Sequence, residues 1–408
     1  MNDQKIFQRH TGRLFFRNAD LDFYLLQFLG YGAHGGATVG ECLRAAAQID
    51  EARPDSWVAA WRGLAEQLEA AGKAALAAGH TVSARESLLR AVTYYRAAST
   101  LLPPDERLRA NWERLRACFR RAAALAAPPV ETVAIPYGSW QLPGYLVHGG
   151  PPGAARPVVI MVGGGECYAE ELYFWAGVPG ARRGYHVLLL DLPSQVAGPL
   201  AELDVARLLN GRAPDELARD VFAAILDYLA ARPDVDATRI AANGISGGGY
   251  LTMAGAVEQP RLAALALSTP IYDIYRVFEA EWPPALRAVP AFVGDTLVKA
   301  AARVNPVTRI VLQKALWTVG ATSVAAYMDI MRRGAVDPAR ILCPALCLAG
   351  SGDPAECIRQ THEAYDRLPH PAKAKRLFTP ETGADAHCQV NNLPLVYQVV
   401  FDWLDEVL

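Results

Sequence analysis

Apolar residues recur at helical spacing through the first third of the chain and at strand spacing after it. From about residue 33 to 127, Ala, Leu, Arg and Glu dominate with few β-branched runs. Leu88, Val92, Tyr95 and Ser99 fall three or four positions apart, which puts them on one stripe of a helix. Pro103 and Pro104 end that helix, and Asp105 with Glu106 opens another whose negative first turn suits the helix dipole. Pro128 and Pro129 close the helical region.

The period then switches. Residues 130–137 and 141–147, joined by Gly138 and Ser139, predict an antiparallel hairpin. Buried strands are expected at 158–162, 186–190, 239–242, 262–268 and 345–348, separated by helical stretches such as 214–231. That rhythm belongs to βαβ units and a mostly parallel sheet. The expected fold class is therefore α/β, with an all-helical domain over 1–129 and a catalytic domain over 130–408. A helical, lid-like insertion over about 271–340 precedes the strand at 345–348. It carries Phe278, Trp282, Trp317, Tyr327 and Met331, and in open α/β sheets such an insertion sits over the carboxyl ends of the strands, where ligands bind. Taken singly, each of these aromatics reads as helix packing.

At 408 residues the chain exceeds what one core usually serves. The net charge of -2 offers no basic face for nucleic acid. The first 30 residues mix charges into their apolar stretch and lack a cleavage site, so no secretory signal is expected. No run reaches the ~20 apolar residues of a membrane span. Phe15 and Phe16 read as core. Seven scattered cysteines without C-x-x-C spacing predict reduced thiols and a cytoplasmic protein; Cys388 reads as packing, since it has no turn of its own to present it.

Candidate chemistry centres on RIAANGISGGGY, residues 239–250. Ser246 lies between Gly244 and Gly248, after an apolar run and before the helical stretch 250–258. This is the G-x-S-x-G elbow, in which a strand turns sharply into a helix and presents a serine hydroxyl. A serine needs a base oriented by a third group. Asp353, in GSGD after the strand at 345–348, and His387, in ADAHCQ before the last helix at 395–408, supply both in the chain order Ser, Asp, His. Asp385 is a rival carboxylate close to His387. The Gly247 amide and the glycine loop at 163–165, with Gly164 and Gly165, are the expected oxyanion donors. That loop lacks the G-K-[ST] ending and the G-x-G-x-x-G spacing of nucleotide sites. Glu170 and Glu171 follow it closely, although adjacent glutamates are ordinarily solvated.

The helical segment AGHTVSARESLLRAVTYYRAAS, the loop GGGECYAEELYF, the elbow GISGGGY and the run GADAHCQVNN before VFDWLDE together resemble α/β-hydrolases with an N-terminal helical domain. That group includes 2,6-dihydroxypseudooxynicotine hydrolase, fungal polyketide chain-shortening hydrolases and FrsA-like esterases. The resemblance covers nearly the whole chain. It implies an α/β-hydrolase fold, a pocket between helical domain and sheet, and a triad of Ser246, Asp353 and His387. It also implies a substrate contact at Glu170, with Tyr31 and His34 of YGAHGG as pocket residues from the helical side. Some such relatives hydrolyse a carbon–carbon bond beside a ketone and others cleave esters. Where they commonly read GPGQG, this chain has Pro193, Ser194, Gln195 and Val196, a change that bears on the substrate.

The expected activity is serine hydrolysis of a carbonyl substrate, with carbon–carbon cleavage of a β-diketone or acyl-aromatic molecule leading. Carboxylesterase or thioesterase action, and acyl transfer or cyclisation by the same acyl-enzyme, are the alternatives. A catalytically silent small-molecule binder is the rival from another class. No metal and no organic cofactor is expected. The expected partner is a small carbonyl compound, with no nucleic acid and no membrane, and with a homodimer as the oligomeric option.

Overall fold

The structure, a computed structural model, describes residues 9–151, 153–281 and 291–408; Trp282 of the insertion lies outside them. Helices α1 (Ala19–Gly30), α2 (Val39–Ala46), α3 (Pro54–Ala77), α4 (Thr81–Ser99) and α5 (Glu106–Ala124) precede the first strand. Within the helical domain expected over 1–129, no periodicity singles out α1 as a helix. Leu21, Phe23, Tyr24, Leu25 and Phe28 bury it on several sides, so it lacks the single apolar stripe that marks an amphipathic helix. Its start is set by Asn18, whose side chain accepts from the Asp20 and Leu21 amides at 3.0 and 3.1 Å. Of the two aromatics before it, Phe16 is buried, whereas Phe15 is 47% exposed and is not core.

The predicted hairpin forms β1 (Glu131–Tyr137) and β2 (Trp140–Val147), with Tyr137 opposite Trp140. Gly138 supplies the positive φ, 59°, that so tight a turn requires. Then follow β3 (Arg156–Val162), β4 (His186–Leu190), β5 (Val235–Ile245), β6 (Ala264–Ser268), β7 (Ala345–Gly350) and β8 (Lys373–Phe378). Of these β8 went unread, because its charged residues break the apolar run. The order across the sheet is β1-β2-β4-β3-β5-β6-β7-β8, parallel from β4 to β8. The architecture is that of an α/β-hydrolase.

Along β3, Val158, Ile160 and Val162 join one apolar core while Val159 and Met161 join the other. Both faces are covered, as a parallel sheet demands. Each such side chain contributes about 1.5–3 kcal/mol on burial. The second core runs without a break into Phe28, Trp61 and Tyr94 of the N-terminal helices. These helices therefore pack directly on the sheet. Between β6 and β7 the chain forms helices Ile274–Glu281, Ala291–Val304, Pro306–Thr318 and Val324–Arg332, as the insertion predicts. Among the described residues no helix is long and apolar enough to cross a membrane.

Candidate active site

At the end of β5 the chain turns into helix Gly247–Gly255, and Ser246 at the corner takes φ 54°, ψ -126°. Such a conformation costs a non-glycine residue about 1–3 kcal/mol. It persists because the turn is tied at both sides: the Ser246 amide donates to the Ser268 carbonyl at 3.0 Å, and the Gly249 amide to the Ser246 carbonyl at 2.8 Å. A Cβ on Gly248 would come within 2.0 Å of the Gly163 carbonyl oxygen, so glycine is what lets the elbow meet the loop after β3.

Asp353, just beyond β7, is buried and accepts from the Gly350 amide at 2.7 Å and from Thr269 Oγ1, 3.3 Å from each carboxylate oxygen. Its Oδ1 also hydrogen bonds Nδ1 of His387, whose Nε2 lies 2.8 Å from Ser246 Oγ. The three side chains read from the sequence thus meet in the expected order. With Asp353 accepting from Nδ1–H, the neutral imidazole turns its Nε2 lone pair to the serine hydroxyl. Burial opposes a charged imidazole, but the adjoining Cys388 and the hydrogen-bonded Asp353 carboxylate outweigh it and push the His387 pKa up to about 10. Asp385 plays no part in this, since Thr11 and Asn391 occupy its two oxygens.

The Gly247 amide heads its helix, where the first N–H groups have no partner within the helix. The Gly165 amide nitrogen lies 3.1 Å from the Cβ position of Gly247, and the Cβ of Ser246 is 3.4 Å from that of Gly164. Donors and nucleophile therefore adjoin. Gln195, noted in the sequence only within a stretch that bears on the substrate, braces this loop: its Nε2 donates to the Gly163 and Gly164 carbonyls at 2.7 and 3.0 Å. The Leu192 amide holds its Oε1 at 2.6 Å.

A cavity of about 270 Å³ opens above Ser246 and His387. Phe278, Tyr327 and Met331 of the insertion form its roof, while Phe23, Tyr24 and Gln27 of α1 form a wall; Trp317 is not among its lining residues. Arg9, Arg96, Glu166 and Lys314 bring charge to the lining. None of these four was singled out, because nothing local in the sequence marks a cavity wall built from remote segments. A hollow of about 360 Å³ by Arg156, Tyr185 and Arg239 adjoins the opposite, amino-terminal ends of the strands and holds no triad group.

The other anticipated contacts lie apart from the cavity. Glu170 is buried against Tyr145, 2.7 Å away, and Arg116, 3.2 Å away. It is Glu166, four residues earlier, that lines the cavity. Neither adjacent glutamate is solvated: Glu171 pairs with Arg96 at 2.7 Å and accepts from Tyr31 at 2.6 Å. Tyr31 is thereby a packed tie between helices and sheet, and His34 meets the Phe174 carbonyl at 2.6 Å. All seven cysteines are buried free thiols. His148, His186 and Asp234 bring ligand atoms within 4.8 Å of one another. However, the Gly149 amide at 3.0 Å and the Asp234 carbonyl at 3.1 Å engage both ring nitrogens of His186.

The sheet, the elbow and the Ser, Asp, His order define an α/β-hydrolase. Residues 205–289 match the prolyl oligopeptidase family. The chain is similar to Hydrolase ORFZ of Pyricularia oryzae, 32% identical over 96% of this chain and 97% of that one. It is also similar to the 20-hydroxy-prefusarin hydrolase FUS2 of Gibberella moniliformis, 29% identical over 94% and 95%. In fold it matches the crystal structure of 2,6-dihydroxy-pseudo-oxynicotine hydrolase, with a TM-score of 0.70, 21% identity, and 93% and 95% of the two chains covered. The chain belongs to this family of α/β-hydrolases with N-terminal helices, and it is a hydrolytic enzyme.

Proposed function

We propose that the enzyme hydrolyses a carbon–carbon bond in a β-diketone or acyl-aromatic small molecule of polyketide type, through an acyl-enzyme on Ser246. His387 takes the Ser246 proton as Oγ attacks the carbonyl carbon, and Asp353 holds the imidazole tautomer and balances its charge. The amides of Gly247 and of the loop carrying Gly164 and Gly165 receive the oxyanion. When the carbon–carbon bond breaks, its electron pair leaves on the departing fragment as an enolate. His387 returns the proton to that fragment, and water then releases the acyl group from Ser246.

The observation that carries this reading is the 2.8 Å contact between His387 Nε2 and Ser246 Oγ at the floor of the cavity. The substrate class leans on the relative named as a 20-hydroxy-prefusarin hydrolase and on the aromatic roof and wall. The test has two parts. A fluorophosphonate probe is expected to label the wild type and to leave Ser246→Ala unlabelled. Product masses from a panel of β-diketones and aryl esters then decide the bond: cleaved diketones support the proposal, while inert diketones beside rapidly hydrolysed esters replace it with esterase action.

A further inference from the structure

Lys314, on helix Pro306–Thr318 of the insertion, is 5% exposed. Its Nζ donates to the carbonyl oxygens of Ser99 at 2.6 Å and Thr100 at 2.9 Å, at the end of α4. Among the described residues no carboxylate oxygen stands within ion-pair distance of it. A lysine ammonium has three donors, and two are spent on these carbonyls. The third is left for the cavity, which Lys314 lines together with Ser246 and His387. A buried charge without a paired anion is costly, so a ligand bringing a negative oxygen supplies what the site lacks.

The acid whose field reaches it, Glu166, does not fill that role. Glu166 accepts from the Tyr24 hydroxyl at 2.5 Å and lies in the field of Arg9, and Arg96 is paired with Glu171. Burial brings the Lys314 pKa down to about 7, with Glu166 opposing and Arg96 reinforcing the fall. Near neutrality the amine therefore shifts readily toward the ammonium when an anion arrives.

Resting on the carbon–carbon reading above, we propose that Lys314 anchors the oxygen of the departing fragment, holding an enol or phenol in its ionised form against Nζ. The substrate is then an acidic 1,3-dicarbonyl or acylphenol, with its electrophilic carbonyl at Ser246 and its acidic oxygen at Lys314. His387 first passes the Ser246 proton to the carbon that bears the reacting acyl group, restoring the neutral keto form; when the carbon–carbon bond then breaks, its electron pair delocalises back onto that oxygen, beside a donor already in place.

The test uses benzoylacetone, whose enol and enolate differ in absorbance, bound to the full-length Ser246→Ala protein so that no turnover intervenes. The bound probe is expected to ionise at a pH lower by about one unit or more, a tenfold preference for the enolate. Adding Lys314→Met is expected to remove that shift and raise Kd about tenfold or more, with Lys314→Arg retaining part of both. If Lys314 served only to fasten the insertion to α4, these changes would alter thermal stability and leave the bound probe's ionisation alone. Benzoylacetone that fails to bind, or binds with unshifted ionisation while Lys314 is intact, overturns the proposal even if the lysine variants do not fold. Enolate binding without diketone cleavage by the wild type leaves the anchor standing and removes the carbon–carbon reading; cleavage with neutral binding removes the anchor alone.

Discussion

The backbone carbonyl of Arg9 accepts the amide hydrogen of His387 at 2.6 Å. The N-terminal segment thus helps to fix the histidine turn, in which Cys388 and Gln389 both take positive φ. The Phe23 ring packs 6.1 Å from the imidazole. Deleting residues 1–13 is therefore expected to lower kcat by about 10²-fold, the usual consequence of a catalytic group misplaced by roughly 1 Å. Steady-state kinetics alongside a melting curve check this, and a folded, fully active truncation would count against it.

Asp353→Asn is expected to keep the fold, since Gly350 and Thr269 can still donate to the remaining oxygen, and to lower kcat by about 10³–10⁴-fold through loss of the favoured imidazole tautomer. Loss of fluorophosphonate labelling rate reports the same effect without a known substrate.

The raised pKa of His387, about 10, fixes the sign of two pH effects. Catalysis needs the neutral imidazole, so kcat/KM should climb with pH along a limb lying above the ordinary histidine pKa of about 6.5. Folding responds in the opposite direction. The protonated imidazole paired with Asp353 stabilises the native state fully below pH about 6.5, and that contribution fades as pH rises toward 10. Urea midpoints for wild type and His387→Gln across this window should converge at the alkaline end; parallel curves would refute the assignment.

Gln195→Ala removes the two hydrogen bonds that hold the Gly163 and Gly164 carbonyls. The Gly164 carbonyl keeps the Cys167 amide at 3.0 Å, but loss of the Gly163 partner should cost about 1–3 kcal/mol of stability. The loosened amide donors should also reduce kcat by about 10–10²-fold, less than the 10²–10³ lost when a donor is removed outright. An unchanged rate would show that the loop holds its place without this brace.

Tyr31→Phe tests the placement of Tyr31 outside the cavity. Its hydroxyl joins Gln27 at 2.6 Å, Trp175 at 3.0 Å and Glu171 at 2.6 Å, so the substitution should destabilise the protein by about 1–3 kcal/mol. KM should change little, because Tyr31 is not among the residues that line the cavity. A large rise in KM without loss of stability would return Tyr31 to the substrate site.

The nucleophile elbow, the order Ser, Asp, His and the switch from helical to strand period were legible in the chain because each is set by neighbours in sequence. A strained strand-to-helix turn needs small residues beside Ser246, a hairpin needs a positive φ at Gly138, and a parallel strand buried on both faces needs an uninterrupted apolar run. Helix α1 and strand β8 escaped that reading, the first apolar on several sides and the second charged at an edge, so neither carries the expected periodicity.

What only the tertiary structure decided was which side chains share a space. Nothing local distinguishes Glu166, which faces the cavity, from Glu170 and Glu171, which are locked to Arg116 and Arg96. Nothing in the chain near Asp385 reveals that Thr11 and Asn391 claim it and leave Asp353 to the histidine. Hydrogen bonds and ion pairs act over about 3 Å in space whatever the separation along the chain, so partners such as Arg9 and His387, or Lys314 and Ser99, become apparent only once the helices have packed onto the sheet.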